Sequence, residues 1–308
     1  SMFNENRYLI PTLFPKGDED NRVICISGIG SRSGFSALII SILPNLHIMD
    51  TGQCFPLKLY EKNTVQDKSF KSYDVHGELF ESNQPKLINT DAEYTIKDGI
   101  TDAGLVHFQS AYPTEAINKE DVFYYIYGLL HSEDYKNLYA DNLSKELPRI
   151  PCVRKASDFW AFSQAGRDLA ELHINYESVE PYSVNFAGGE LFMGDFSDAD
   201  YRVEQMKFGK KNKETDKSTV IYNHKITMTH IPLEAYEYVV NGKPALEWVM
   251  ERQAVTTHKE SGIVNDANHW AIETMQDAAY SLKLFQRVIT VSLETMKIVK
   301  RLPRLDII

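Results

Sequence analysis

No apolar run in this 308-residue chain is long enough to cross a bilayer, and no basic start leads into the apolar middle of a secretory signal. Cysteine is scarce. Its three copies, Cys25, Cys54 and Cys152, lie far apart with no C-x-x-C pair, which argues against a disulfide framework or zinc site and for a reducing cytoplasm. Positive charge is in deficit: 33 Lys and Arg stand against 43 Asp and Glu, a net charge of −10, with a pI near 5.4. Such a chain is no general nucleic-acid sponge, because phosphate binding is driven largely by counterions released when Lys and Arg replace them. Contact with a nucleic acid would need the cations gathered on one face. Catalytic signatures are missing too: no GxxxxGK[ST] phosphate loop, no Asn-Pro-Pro-Tyr, no nucleophile elbow, no H-E-x-x-H, and no carboxylate pair followed by Lys as a metal-dependent nuclease needs. His224 and His230, six apart on an expected strand, point to one side but have no third ligand, so ordinary strand histidines are expected rather than metal ligands. The chain is expected to be non-enzymatic, with no cofactor or metal of its own.

What is present has a globular balance, 43% hydrophobic and 11% aromatic, with length enough for one large domain or two intimate lobes. Ser1 before Met2 reads as the scar of a removed tag, so a cut fragment is expected. The pattern predicts an α+β fold in which a helical lobe joins a mostly antiparallel β lobe and a long C-terminal helix. Residues 1–60 read as β-rich: a strand over Val23 to Ser27, a glycine turn, a short helix or strand over Phe35 to Leu43, a Pro44-Asn45 turn, and a strand over Leu46 to Asp50. Residues 61–99 are a charged excursion with room for a short hairpin. Residues 100–177 read as helical, with one apolar stripe on Val122, Ile126, Leu129 and Leu130 and another on Phe159, Phe162, Ala165, Leu169 and Leu172. Asn118, with Asp121 three residues on, and Ser157-Asp158 are the expected caps, and Leu147-Pro148-Arg149-Ile150-Pro151 breaks the helices apart. Residues 178–231 switch to alternation, with strands over Tyr201 to Phe208 and Thr219 to Thr229 around a polar loop, Gly209 to Ser218. Residues 232–308 return to helix, clearest over Ala245 to Met250 after an Asn241-Gly242 turn. A long amphipathic helix follows from Trp270 to Arg301, its seam made of Leu282, Phe285, Ile289, Leu293, Met296 and Val299.

Several long stretches carry a resemblance in order along the chain. They are RVICISGIGSRSGFSALI from Arg22, GQCFPLKLYE from Gly52, ITDAGLVHFQSAY from Ile100, FYYIYGLLHSEDYKNLYADNLSKELPRIP from Phe123, DFWAF and GRDLAELHINYE from Asp158 and Gly166, VIYNHKITMTHIPLEAYEYVVNGKPALEW from Val220, and VTTHKESGIVNDANHW from Val255. Together they resemble the C-terminal specificity region of type ISP restriction–modification enzymes. These are large single polypeptides that join nuclease, helicase-like translocase, adenine methyltransferase and target-recognition parts. The likeness covers most of the chain and departs at Ser31-Arg32-Ser33-Gly34 and across residues 61–99. It implies that residues 1–308 are most of one target-recognition domain, which holds double-stranded DNA against the methyltransferase domain of the same polypeptide. It would read a short asymmetric sequence and position one adenine for flipping. AdoMet, ATP and Mg²⁺ would serve the whole enzyme and not this piece.

Four candidate sites follow from residue type. Gly28-Ile29-Gly30-Ser31-Arg32-Ser33-Gly34, with Asp50 about twenty residues on, mimics a dinucleotide-binding turn. It also suits a plain glycine turn, or a loop that brings Arg32 to a DNA phosphate. The run Gly209 to Lys217, with Lys210, Lys211 and Lys213, could grip phosphates or be a solvated loop with acids interleaved. The richest polar group is Arg252, Gln253, Thr256, Thr257, His258, Lys259, Asn265, Asn268 and His269. Arg and Lys suit guanine O6 and N7, Asn and Gln suit adenine N6 and N7, and Asn265 to Asn268 also suit Asx turns and a helix cap. Arg149, Arg154 and Lys155 flank the proline turn, where they touch a phosphate or cover helix-end carbonyls. Two rival readings remain: a docking module that makes no DNA contact, and an enzyme that uses the glycine turn for a nucleotide.

Overall fold

The structure, a computed structural model, describes residues 10–17, 19–44, 49, 52–63, 93–189 and 196–308. After a short α1 (Ile10–Leu13), the chain lays down β1 (Val23–Ile26), β2 (Ala37–Ile40) and β3 (Gln53–Pro56) as one antiparallel sheet in the order β2-β1-β3. Both faces are buried, so the alternation sorts side chains between two cores: Ile24, Ile26, Ala37 and Ile39 face the helices. Val23, Cys25 and Ile40 pack with Leu13, Phe14 and Leu59 on the other side. Cys25 and Cys54 stand opposite each other across β1 and β3 with sulfurs 3.4 Å apart, a juxtaposition their sequence spacing gave no sign of. At the edges of the expected excursion, β4 (Lys58–Lys62), which begins before it, pairs antiparallel with β5 (Tyr94–Asp98). Residues 64–92 between them, and with Met49 excepted the expected strand over Leu46 to Asp50, lie outside the described residues.

The helical lobe comprises α2 (Asp102–Ala111), α3 (Lys119–His131), α4 (Glu133–Leu138), α5 (Ala140–Leu143) and α6 (Ala156–Ile174). Asn118 caps α3 as expected, in a reciprocal pair of bonds with Asp121. The single apolar stripe expected of α3 is a correction: every residue from Asp121 to His131 is buried, because sheet and helices enclose it on all sides. α3 meets α6 closely. A methyl on Gly128 would lie 2.1 Å from the Phe162 carbonyl oxygen, and one on Gly166 1.9 Å from that of Tyr124, so only glycine lets the two backbones touch. The proline segment solves a different problem. Its residues belong to no helix or long strand, yet the tyrosine hydroxyls of Tyr135, Tyr125 and Tyr112 donate to the carbonyls of Arg149, Pro151 and Val153 at 2.7, 2.7 and 2.5 Å. Alternate carbonyls of an extended chain point to one side, and buried tyrosines on α3, on α4 and at the C-cap of α2 satisfy them.

The β lobe holds a four-stranded antiparallel sheet in the order β6-β9-β8-β7, made of β6 (Asn185–Phe186), β7 (Lys207–Lys211), β8 (Glu214–Ile221) and β9 (Thr227–Thr229). Two small hairpins follow, β10 (Val239–Val240) with β11 (Lys243–Pro244), and β12 (Thr256–Thr257) with β13 (Val264–Asn265). They flank α7 (Ala245–Arg252), and α8 (Ala267–Glu273) and α9 (Tyr280–Val299) complete the chain. Asn241-Gly242 forms the expected turn, with φ of 49° and 71°. A core of Val203, Val220, Tyr222, Met228, Leu246, Phe285 and Ile289 joins this sheet to α7 and α9.

Six further expectations need correction. Tyr201 to Phe208 is mostly irregular, and the supposed loop Gly209 to Ser218 is itself the β7–β8 hairpin, because Asn212 and Lys213 take positive φ and close a two-residue turn. The helix over Trp270 to Arg301 is two helices broken at 274–279. On α9 the buried seam passes from Leu282, Phe285 and Ile289 to Ser292 and Thr295, with Leu293, Met296 and Val299 only half-buried. The shift occurs where α9 leaves the β-lobe core and meets α6, and Thr295 bonds His173 at 2.9 Å. Ser157 and Asp158 do not cap α6, which already starts at Ala156. His224 lies in a turn and His230 takes φ of 59° beyond β9, so they share no strand. Within the described residues no cluster of His, Cys, Asp or Glu could hold a metal.

Candidate nucleic-acid interface

The glycine run joins β1 to β2, which are antiparallel neighbours, and no helix follows it. A dinucleotide turn needs a parallel βαβ unit with the phosphate at a helix N-terminus, so the geometry removes the basis of that reading. Gly30 and Gly34 take φ of 75° and 76° and simply let the loop turn. The loop is braced from two sides: Gly30 donates to the Ser144 carbonyl at 3.3 Å, and Asn241 of the β10–β11 turn donates to Ser36 at 3.0 Å. Arg32 is exposed on this loop.

The β7–β8 hairpin projects Lys210, Lys211 and Lys213 into solvent, together with Lys207, which sequence inspection did not single out. Most other described cations are spent on carboxylates. Examples are Lys119 with Asp102 at 2.6 Å, Arg167 with Glu120 and Asp121 at 2.9 and 2.8 Å, and Lys217 with Glu247 at 2.8 Å. Among the described residues, the four hairpin lysines have no carboxylate within ion-pair reach, although Glu214 stands across from Lys211 in the ladder. Asp216 is engaged by its own strand instead. Hydrogen bonds from Ser218 and Thr219 hold its carboxyl below the ordinary range, with Lys211 adding to the effect.

The second polar group splits in two. Thr256, Thr257, His258, Lys259 and Asn265 are exposed on the β12–β13 hairpin, and Arg252 is exposed at the end of α7 with its guanidinium 5.4 Å from the Trp248 ring. Lys259 has no ion-pair partner among the described residues, and His269 is exposed on α8. Gln253 and Asn268 are engaged inside the fold. The side-chain amide oxygen of Gln253 accepts from the Ser281 hydroxyl at 2.7 Å. Asn268 is 6% exposed and clamps both backbone groups of Val203, at 2.9 and 2.8 Å. Sequence reading missed the residues that anchor this hairpin. Val255 donates to the Glu204 carbonyl at 2.9 Å, and Arg202 bonds Asp266 at 2.8 Å. Burial alone would raise the Asp266 carboxyl, but bonds from Asn268 and Arg202 outweigh it and hold it below its ordinary value. The hairpin thus stands on a fixed base while its outer face is free. Nothing in residue type hinted at Arg202 or Glu204, since Asp266 and Val255, which they hold at the hairpin base, lie more than fifty positions away.

Arg149 and Arg154 are engaged within the fold, though not on helix-end carbonyls. Arg149 pairs with Glu146 at 3.0 Å, and Arg154 reaches Asp306 at 3.2 Å and the Ile307 carbonyl at 3.0 Å.

Comparison with known proteins places this arrangement. The family description "Type ISP C-terminal specificity domain" matches residues 1–284. The chain belongs to that family. Among solved structures, this type ISP specificity domain is similar to part of the ATP-dependent type ISP restriction–modification enzyme LlaBIII bound to DNA. That match has 30% identity and a TM-score of 0.75 over 99% of this chain and 17% of that one. A nuclease-deletion mutant of the type ISP enzyme LlaGI, in complex with a DNA substrate mimic, matches at 32% identity and TM-score 0.71 over 99% of this chain and 19% of that one. The DrdV–DNA complex matches at 31% identity and TM-score 0.71, over 98% and 26% respectively. The specificity domain therefore spans about a quarter or less of these chains. No curated protein matches it. Among its described residues no helix is long and apolar enough to cross a membrane.

Proposed function

We propose that this specificity domain binds double-stranded DNA and reads a short sequence, so that the methyltransferase domain of the same polypeptide can act on one adenine of the site. Its membership of the family, beside relatives solved with DNA, carries the reading. The lysines of β7–β8, left unneutralised in a chain of net charge −10, support a phosphate-binding role. The exposed side chains of β12–β13 and Arg252 support base reading, with Gln253 and Asn268 fixing the hairpin rather than touching bases. Arg32 adds a phosphate contact from the β1–β2 loop. AdoMet, ATP and Mg²⁺ serve other parts of the enzyme, and this domain contributes no catalytic group.

The test is selection of bound duplexes from a pool with a randomised centre, followed by affinity measurement on the enriched sequence. Arg252→Ala is expected to cost about 1–3 kcal/mol on that sequence and little on scrambled DNA. Equal binding by parent and variant would strike Arg252 from the readers, and failure to enrich any sequence would overturn the proposal. A docking role without DNA contact is favoured by one feature: Trp270 and Ile272 are 54% and 56% exposed on α8. A domain that binds the methyltransferase part but no duplex, even at low salt, would establish it.

A further inference from the structure

The β12–β13 hairpin carries an apolar feature that phosphate binding does not use. Ile263 is 62% exposed at its tip, one residue beyond the last cross-strand pair, Thr257 with Val264. The tip is ordered by its own bonds: His258 donates to the Ile263 carbonyl and Gly262 to the His258 carbonyl, each at 2.8 Å. The polar residues exposed with Ile263 on the hairpin include Thr257, His258, Lys259 and Asn265, of types that match the hydrogen-bonding edges of bases. Val264 beside Ile263, 56% exposed, is held in the ladder opposite Thr257, so the branched side chain at the tip itself is that of Ile263. The base of the hairpin is held by Arg202, Asp266 and Asn268, which fixes where the tip points. The chemistry that fits one aliphatic group among base-edge donors and acceptors is the C5-methyl of thymine in the major groove.

We propose that Ile263 is a specificity-determining residue that reads a thymine methyl in the recognised site. This rests on the DNA-reading function above and deepens it. Deoxyuridine removes that methyl and leaves every pairing and groove hydrogen bond in place, so it isolates the contact. Duplexes enriched by the 308-residue chain are resynthesised with uracil replacing each thymine singly. At one position the parent is expected to bind the uracil form about fourfold more weakly, the fold-change that matches one buried methyl. Ile263→Ala is expected to bind thymine and uracil forms alike at that position, and Ile263→Val to keep part of the difference. Both variants lie at an exposed tip and should melt with the parent, so loss of discrimination cannot be loss of folding. Sequence enrichment with no uracil effect anywhere would overturn the inference while leaving DNA reading intact. Ile263→Ala with an undiminished uracil penalty would also overturn it, and no enrichment at all would overturn both.

Discussion

The junction of α3 with α6 and the two hairpins of the β lobe use polar residues in opposite ways. Between the helices, tyrosine hydroxyls close on the carbonyls of Arg149, Pro151 and Val153, Ser163 donates to the Asp121 carbonyl at 2.9 Å, and Tyr127 meets His173 at 2.6 Å. On the hairpins, Lys207, Lys210, Lys211, Lys213 and Lys259 are exposed with no carboxylate in reach among the described residues. A buried polar group without a partner costs stability, so a core spends its groups on itself. A surface lysine in water costs little and stays available. The difference separates the region that sets the fold from the region that can meet a ligand, and each can be broken without the other.

The largest effect is expected at the helix crossing. Gly128→Ala should gain up to about 1 kcal/mol of helix propensity yet lose about 3 kcal/mol or more, because the new methyl forces α3 off α6. Denaturant unfolding measures the balance, and a stabilised variant would mean the backbones do not touch. Tyr125→Phe comes next. It leaves the Pro151 carbonyl without its donor at a cost of about 1–3 kcal/mol, while duplex affinity should stay at the parental value. A third effect is one of pH. Burial holds His173 down to about 3 and pushes His131 well below its usual value, with Lys136 and His173 adding to the shift in His131. Both stay neutral in the fold but take up protons when unfolded near pH 6.5. Stability is therefore fully present above about pH 6.5 and falls as pH drops from there toward 3, by up to about 1.4 kcal/mol per pH unit for each histidine. Melting temperature against pH for the parent and for His173→Gln reads this slope, and identical curves would deny His173 its part.

The same division explains what could be read in advance. The α+β class, the Asn118 cap, the Asn241-Gly242 turn and the glycine loop were legible because short-range chemistry decides them. The β7–β8 hairpin was hidden because its turn is Asn212-Lys213, and lysine at φ of 71° is a choice no turn rule favours. The burial of α3 on every side was hidden because it depends on what surrounds the helix. Residue type alone singled out Lys210, Lys211, Lys213 and the β12–β13 side chains, and each of these is exposed. The anchoring of Asn268 on Val203 joins positions 65 residues apart, and no local pattern carries it.

The central claim is that the exposed lysines of β7–β8 take the place of counterions on a duplex. The direct measurement is the slope of log affinity against log salt concentration for the parent and for Lys210→Ala/Lys211→Ala/Lys213→Ala combined. The triple variant is expected to bind all sequences alike more weakly, with a slope shallower by about 0.9 for each phosphate that is no longer neutralised. A triple variant with the parental slope and affinity would contradict it.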